Sequence, residues 1–457
     1  MLPLRCSWSL SRANYTTKAR KELVTRYSAE FPEKLLNRKR KVPTHMYIAN
    51  SKAAARISQY LEPHFQSSGC DTVMELNSGP GYFTRHLLDR ESQFRRIILL
   101  ESMDHFMPKI QELHTLYPER VKVRQGDFVN LWKLVYMDKM DGGSRVADLL
   151  SDVPQKAFTD DINMLVFGAV GSYPFFKHLI NSLIFQTSLF NLGRCEMILA
   201  MPPPIYIHLT CNNEIGYLIY RSTSVLFQIL FEHKFIAKVP REDFLPQQTA
   251  YSPTKSSKLG KVQSINPEYL YLVKFTPRRN LHELCQSQDL PALWFFIKQN
   301  YVSRRNRIIP NLEKWVPGCG PRLIINPQSP ESVTPIYPDE LPKKLPQYSC
   351  RSTTMSTRNY YPGINIYTQF GDLLPSQMLT LFSQFRQWPE YGESSFLASL
   401  ENALLKLETA NDEQNLEDGV TLPEEDDAEA DEIIEEESPE PATTPAKRRR
   451  KAVPSCT

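Results

Sequence analysis

The stretch from Val73 to Thr84, which reads VMELNSGPGYFT, constrains the fold of this 457-residue chain more than any other stretch. It begins as a short apolar strand, passes through a glycine-rich turn, and leads into a helical pattern. Gly79 and Gly81 let the backbone approach a ligand that a Cβ atom would exclude. This order is typical of the first unit of a nucleotide-binding α/β sheet. The G-x-G spacing lacks the third glycine of a dinucleotide site, and its acid, Glu75, precedes the glycines. A lone G-x-G is equally compatible with a tight turn that binds nothing.

A second strand, which is apolar, and a third strand each lead to a further acid. Glu101 ends the run RIILLE, and Asp127 follows the run VKVRQG. Because the carboxyl ends of parallel strands meet at one edge of a sheet, Glu75, Glu101 and Asp127 are expected to lie close together. Three acids in this order predict a pocket for an adenosine-bearing ligand.

This pattern resembles the S-adenosylmethionine-dependent methyltransferases. The resemblance implies that S-adenosyl-L-methionine is the cofactor, in a retained or a vestigial role. It also implies that Glu75, Gly79 and Gly81 wrap the methionine part, Glu101 holds the ribose hydroxyls, and Asp127 lies near the adenine. The predicted fold is α/β, a Rossmann-like methyltransferase domain followed by a smaller all-helical C-terminal domain.

Later segments sharpen the resemblance to the ribosomal RNA adenine dimethyltransferases, over about residues 40–320. Residues 220–228 resemble the start of a helix of that family, and residues 237–247 resemble its strand and Phe-x-Pro loop. The run HMYIAN at residues 45–50 stands where the family has a Gln-Asn-Phe-Leu-Asn-Asp-like motif. By this resemblance Ile48 is a further cofactor contact.

Within that family, the chain is most similar to a mitochondrial branch whose members work as transcription factors. Residues 295–305 and the helix after Leu374 resemble the C-terminal domain of this branch. The resemblance implies that the chain joins mitochondrial RNA polymerase at promoter DNA and helps to open the duplex.

The fourth motif departs from the family. An adenine N6-methyltransferase uses an Asn-Leu-Pro-Tyr type motif to accept hydrogen bonds from the exocyclic amine and to stack the flipped base. Residues 167–176 read FGAVGSYPFF and contain no Asn or Asp. The degenerate motif centres on Gly171, Tyr173 and Phe175, so we assign no catalytic residue. The aromatic side chains could stack a base or belong to the core at the head of the next helix.

Charge is distributed unevenly along the chain. From residue 408 to residue 440 there are 16 acids and no Lys or Arg, and residues 447–451 then read KRRRK. Residues 1–407 carry 49 basic and 35 acidic side chains, a net charge of +14. Such a charge favours a polyanionic partner, although it also simply keeps a surface soluble. The candidate nucleic-acid contacts are Arg38, Lys39, Arg40, Lys41, Lys255, Lys258, Arg304 and Arg305.

Composition sets the domain plan and the location. The first 21 residues contain five basic residues and no acid, with several Ser and Thr, as in a mitochondrial transit peptide. We therefore predict the mitochondrial matrix, at the nucleoid. No apolar run is long enough for a membrane span, and the eight cysteines have no zinc-site spacing. The predicted segments are a transit peptide (1–21), a basic arm (22–45), the methyltransferase-like domain (46–277), a helical domain with a Pro-rich insertion (278–407) and a disordered acidic tail ending in a basic run (408–457).

These observations favour a mitochondrial transcription initiation factor built on a methyltransferase scaffold. Its partners would be the mitochondrial polymerase and promoter DNA, including single strands. The first alternative is an active S-adenosylmethionine-dependent dimethyltransferase of mitochondrial small-subunit (12S) ribosomal RNA. The second is an RNA-binding assembly factor that keeps the fold and has neither role.

Overall fold

The computed structural model describes residues 23–37, 42–89, 94–247, 266, 268–324 and 364–417, with side chains up to Leu407. Residues up to Lys406 belong to one compact unit, and a second begins at Leu407. Several predicted features lie outside the described residues. These are the transit peptide, the basic residues Arg38–Lys41, Lys255, Lys258, most of the Pro-rich insertion, and the tail beyond Glu417.

A mixed β-sheet forms the centre of the first unit. Its strands are β1 (His45–Ile48), β2 (Thr72–Leu76), β3 (Arg96–Glu101), β4 (Val121–Gln125), β5 (Met164–Val170), β6 (Cys195–Met201), β7 (Phe231–Pro240), β8 (Phe244–Leu245) and β9 (Tyr269–Pro277). The order is β4-β3-β2-β5-β6-β9-β7, and β1 pairs with β5 and β8. The pairs from β4 to β6 are parallel, whereas β9 is antiparallel to both β6 and β7. The chain places β3 and β4 on one side of β2 and then returns to place β5 and β6 on the other side. Open α/β sheets bind their ligands beside such a switch in strand order, at the carboxyl ends of the strands.

Helices connect and cover these strands. They are α1 (Glu33–Leu36), α2 (Ser51–Ser68), α3 (Tyr82–Leu88), α4 (Met107–Leu116), α5 (Leu131–Asp141), α6 (Arg145–Leu149), α7 (Tyr173–Ile184), α8 (Pro203–Thr210), α9 (Ser222–Leu230), α10 (Leu281–Leu284), α11 (Leu290–Asn300), α12 (Ile308–Leu312), α13 (Gly320–Ile324), α14 (Pro375–Gln387) and α15 (Ser395–Glu417). Helix α2 buries Ile57, Leu61 and Phe65 in one core cluster with the sheet residues Val73 and Phe167. This packing fixes α2 and α3 beside the first strand of the parallel sheet.

A second apolar cluster joins the N-terminal strap, our name for residues 23–37, to the carboxyl edge of the sheet. Phe31 and Leu36 of the strap are each 1% exposed, and they pack in one cluster with Tyr47 and Phe106. The predicted basic arm therefore contains a folded segment. The sequence reasoning missed it because two short helical turns have no long periodic pattern.

A third, aromatic cluster holds the C-terminal helices together. Phe296 of α11 is fully buried, with ring centroids 5.4 Å from those of Phe382 and Phe385 and 6.3 Å from that of Phe396. Trp315 completes this cluster. The predicted C-terminal helical region is thus present, and a predicted domain boundary at residue 277 stays a prediction.

Several predicted element bounds were wrong. The apolar run at residues 162–167 predicts the fourth parallel strand, but β5 continues to Val170 because Ala169 pairs with Ala200. The apolar pattern of residues 175–192 predicts a long helix, but α7 ends at Ile184 because Gln186 and Ser188 adopt positive φ values of 50° and 52°. Backbone pairing and local turns override side-chain periodicity at both places.

Other corrections concern helix ends. Ser51 is the N-cap that the sequence predicts for the helix beginning there, but the structure has Asn50 at this position, since the Asn50 side chain accepts a hydrogen bond from the Ala53 amide. The pattern of residues 221–233 predicts a further helix, but α9 ends at Leu230 and β7 begins at Phe231. The tail was expected to be disordered from residue 408, but α15 continues to Glu417.

Candidate cofactor pocket and nucleic-acid surface

The three predicted acids lie at the carboxyl edge of the parallel sheet. Glu75 is the penultimate residue of β2, Glu101 is the last residue of β3, and Asp127 comes two residues after β4. β3 pairs in parallel with both β2 and β4, so these strand ends are adjacent. The ring of His45, on β1, contacts Asp127. The structure therefore brings these acids to one place, as the spacing predicted.

The glycine turn adopts a backbone that side chains disfavour. Gly79 and Gly81 have φ values of 56° and 76°, in the left-handed region that favours glycine. A Cβ atom on Gly81 would lie 2.7 Å from Cδ1 of Leu113, and one on Gly79 would lie 3.1 Å from Cδ1 of Tyr47. The glycines thus allow close approach, and the atoms approached in this structure belong to the protein's own side chains.

Glu101 is closed off from solvent. Its side chain is fully buried, and it accepts hydrogen bonds from the backbone amides of Gly79 at 2.8 Å, Ser102 at 2.9 Å and Met103 at 2.8 Å. The Tyr47 hydroxyl lies 3.5 Å from Oε1 of Glu101, a long contact that completes the enclosure. Burial raises the pKa of Glu101, and these amides oppose that effect.

Asp127 is also engaged within the chain. Its Oδ1 lies 2.8 Å from Nε2 of His45 and accepts a hydrogen bond of 3.0 Å from the backbone amide of Asn130. Its Oδ2 accepts a hydrogen bond of 2.8 Å from Nδ2 of Asn130. Burial alone would raise the pKa of Asp127, but the bonds to His45 and Asn130 bring it below its usual value. About 30% of the Asp127 side chain stays exposed, so this carboxylate can still meet a ligand.

Glu75 lies beneath the glycine turn. Its side chain is 2% exposed, and the Thr84 hydroxyl donates a hydrogen bond of 2.5 Å to it. Burial raises the pKa of Glu75 to about 8, although the bond from Thr84 lowers it. A mostly protonated Glu75 at neutral pH ties β2 to α3 and supports the turn from below.

Glu75 should make stability depend on pH. Its pKa in the folded chain is about 8, above the ordinary 4.5, so the folded state holds a proton that the unfolded state releases between these values. This contribution is fully present below pH 4.5 and is lost as pH rises towards 8. The unfolding free energy of Glu75→Gln should therefore rise relative to that of the wild type, by on the order of a few kcal/mol between pH 5 and pH 8. Chemical denaturation at the two pH values measures this difference. The control is Glu119→Gln, a change at an exposed side chain. If Glu75→Gln differed from the wild type in unfolding free energy by the same amount at both pH values, the account would be contradicted.

The remaining predicted cofactor contact, Ile48, is the last residue of β1. It is half-buried and pairs with Phe244 of β8. The sequence reasoning missed His45 and Tyr47, the residues of this strand that reach the acids. Their partners lie 82 and 54 residues away along the chain, and no local pattern indicates such contacts.

The degenerate fourth motif lies at the end of β5. Phe175 and Phe176 are each 1% exposed, so neither ring is available to stack on a base. Tyr173 is half-buried, with its ring centroid 6.0 Å from that of His208. A Cβ atom on Gly171 would lie 2.0 Å from the carbonyl oxygen of Pro43. Ala169, which precedes it on the strand, has no polar side chain to orient an amine.

Of the predicted nucleic-acid contacts, the structure describes Arg304 and Arg305. The guanidinium of Arg304 lies 4.8 Å from the ring centroid of Tyr217 and donates to the carbonyl of Leu218 at 2.9 Å. Arg304 is therefore used within the protein, whereas Arg305 is exposed. Arg307 is exposed as well, and its guanidinium lies 5.3 Å from the ring centroid of Tyr367.

No helix among the described ranges is both long and apolar enough to cross a membrane. In the same part of the chain, His, Cys, Asp and Glu side chains do not form a group of three that could hold a metal ion.

The fold and the arrangement of three acids and a glycine turn at the carboxyl edge of the sheet define a Rossmann-like methyltransferase class. The family model described as "Ribosomal RNA adenine dimethylase" matches residues 36–318, and the chain belongs to this family. S-adenosylmethionine is the cofactor of this class. The placement of the glycines and of the three acids fits it, although Glu101 is enclosed.

Relatives of known name agree with this family. The chain is 96% identical over 452 residues to "Dimethyladenosine transferase 2, mitochondrial" of Drosophila melanogaster, covering 99% of this chain and 100% of that one. It is 25% identical over 278 residues to the Mus musculus protein of the same name, covering 59% of this chain and 67% of that one. It is 26% identical over 185 residues to "Ribosomal RNA small subunit methyltransferase A" of Paracoccus denitrificans, covering 40% and 55%.

Proposed function

We propose that this chain is a mitochondrial transcription initiation factor, which works with mitochondrial RNA polymerase to melt promoter DNA in the matrix nucleoid. In this proposal the methyltransferase fold is a scaffold. Bound S-adenosylmethionine would supply an electrophilic methyl group, with Glu75, Gly79, Gly81, Glu101, Asp127 and Ile48 as the residues that hold it. Methyl transfer to adenine is not the main activity.

The end of β5 is the observation that carries the proposal. An adenine methyltransferase needs an acceptor there for the exocyclic amine of the flipped base. Ala169 has no such group, and Gly171 has no room for a side chain because the carbonyl of Pro43 lies against it. The rings of Phe175 and Phe176 are buried at the same place, and Tyr173 is the half-buried aromatic residue of this motif. The motif therefore lacks the side-chain acceptor that would orient the amine of a target adenine.

Charge and exposed aromatic side chains support binding to melted DNA. Residues 1–407 have a net charge of +14, which attracts phosphates. Arg305 and Arg307 are exposed on one loop, and Tyr367 beside Arg307 is 66% exposed. Arginines next to an accessible ring suit the backbone and the bases of a single strand. The mitochondrial names of the relatives support the location.

Promoter melting tests this function. Single-stranded thymines react with permanganate, so reactivity around the start site should appear only when the polymerase and this protein are both present. The Arg305→Glu, Arg307→Glu double variant should reduce that reactivity without reducing the fold content measured by circular dichroism. Equal reactivity with polymerase alone would reject the proposal.

The second candidate function is dimethylation of adenine in mitochondrial small-subunit (12S) ribosomal RNA. It is favoured by the retained pocket frame, in which Glu75, Glu101 and Asp127 lie at adjacent strand ends. Transfer of tritium from labelled S-adenosylmethionine to a small-subunit RNA hairpin would measure it. We expect transfer close to background, and efficient transfer would make the dimethyltransferase the better description.

A further inference from the structure

We propose that the N-terminal strap and Tyr47 form a lid over the ribose subsite of the cofactor pocket, so that S-adenosylmethionine binds only when the strap is released. The family places an adenosine-bearing cofactor at the carboxyl edge of the sheet. The structure fills that edge with the chain's own side chains. The inference does not depend on the proposed role in transcription.

Glu101 is the acid that would hold the ribose hydroxyls. A carboxylate has about four lone-pair sites for hydrogen bonds. Glu101 already accepts three amide hydrogen bonds, from Ser102 and Met103 at Oε1 and from Gly79 at Oε2, and the Tyr47 hydroxyl faces the same Oε1 at 3.5 Å. Since Glu101 is fully buried, a ribose diol can reach it only after a neighbouring group moves.

Tyr47 is the group that must move. The ring of Tyr47 lies over the glycine turn, since a Cβ atom on Gly79 would be 3.1 Å from its Cδ1. Tyr47 is 1% exposed, and its ring centroid is 5.2 Å from that of Phe106. A glycine turn that should receive a cofactor is covered instead by a tyrosine ring. Moving that ring requires space in the cluster around Phe106.

The strap occupies the space around Phe106 that the Tyr47 ring would need. Phe31 meets Phe106 edge to face, with ring centroids 5.6 Å apart at an interplanar angle of 76°. The Tyr27 hydroxyl accepts a hydrogen bond of 3.2 Å from Nδ2 of Asn50, and the His105 ring nitrogen lies 3.3 Å from the carbonyl oxygen of Glu30. The strap therefore clamps the far side of the cluster that holds Tyr47.

Release of the strap requires only local opening of the chain. The strap contains a helical turn at residues 23–27 and the four-residue α1. Helices this short are marginal alone in water, so docking keeps the strap ordered. Its anchoring residues within the described part are few: Leu23, Tyr27, Phe31, Leu35 and Leu36. A segment held by a handful of side chains can open locally while the sheet stays folded.

Weakening the strap should therefore strengthen cofactor binding. When only a fraction of molecules is open, the apparent dissociation constant rises in inverse proportion to that fraction. Phe31→Ala and Leu36→Ala remove buried anchors and raise the open fraction. We expect S-adenosylhomocysteine to bind each variant about tenfold more tightly than the wild-type full chain, measured by isothermal titration calorimetry.

The matched control is Phe396→Ala, which removes an equally buried ring from the separate C-terminal aromatic cluster. It should leave the affinity for S-adenosylhomocysteine unchanged. Thermal melts of all variants show which of them remain folded. The wild type gives an independent readout, because amide hydrogen exchange in residues 23–37 should become faster when S-adenosylhomocysteine is added.

Two results would overturn the inference. One is equal or weaker binding by the strap variants together with unchanged exchange of the strap in the wild type. The other is no binding by any variant, since a released strap should expose the subsite. Neither readout involves promoter DNA or polymerase, so failure here is distinct from failure of the proposed function.

Discussion

Replacing Phe296 with alanine is expected to cost about 3–5 kcal/mol of unfolding free energy, the largest single-site loss that we predict. Phe296 is fully buried, and its ring lies near those of Trp315, Phe370, Phe382, Phe385 and Phe396. Truncation leaves a cavity among rigid rings, which cannot collapse to fill it. Guanidinium denaturation followed by circular dichroism measures the loss.

The same cluster supports the loop that carries the exposed arginines. The Tyr301 hydroxyl donates to the carbonyl of Phe370 at 2.8 Å, and the Gly371 amide donates to the carbonyl of Arg304 at 2.8 Å. Loss of Phe296 should therefore also weaken binding to DNA. The control is Leu116→Ala, whose side chain is 61% exposed and should change stability by less than about 0.5 kcal/mol. Similar losses in both variants would contradict the packing argument.

Reversing the charge of Arg305 and Arg307 is expected to weaken binding of single-stranded DNA by at least about tenfold in low salt. Both side chains are exposed, and the guanidinium of Arg307 lies 5.3 Å from the ring centroid of the exposed Tyr367. If each arginine neutralises one phosphate, the slope of log K against log salt should fall in magnitude by about 1.4. Fluorescence anisotropy over a salt series measures both quantities.

The matched control for this pair is Lys52→Glu with Arg85→Glu, which makes the same change in net charge on helices α2 and α3. We expect the control to retain most of the affinity and of the salt slope. Equal losses for the two double variants would mean that only net charge matters. That result would remove Arg305 and Arg307 as a specific contact.

The sequence predicted the parallel part of the sheet well, for a physical reason. Buried strands give continuous apolar runs, as β2 and β3 do, and the acids Glu75 and Glu101 lie at their ends, whereas β4 alternates apolar and charged residues before Asp127. Residues 237–240 and 269–275 read as a closing pair of strands, and β7 does pair with β9, antiparallel. Residues 51–61 read as a helix, and packing of Phe65 carries α2 past Pro63 to Ser68.

What the sequence could not predict depends on contacts between distant residues. Tyr47 meets Glu101 and His45 meets Asp127 only after the sheet has formed. The strap residue Phe31 finds Phe106 across 75 positions of the chain. Local periodicity carries no signal for such pairs. The pocket was therefore predicted as an open ligand site, and its enclosure by the chain's own side chains came only from the structure.

Run-off transcription tests the central claim most directly. Purified mitochondrial RNA polymerase would be assayed with and without this protein, on linear promoter templates and on templates melted in advance around the start site. A promoter-opening factor should stimulate transcription from the linear template and lose most of that effect on the pre-melted one. Absence of stimulation on both templates would contradict the account, and the methylation of small-subunit RNA would then become the leading explanation of the fold.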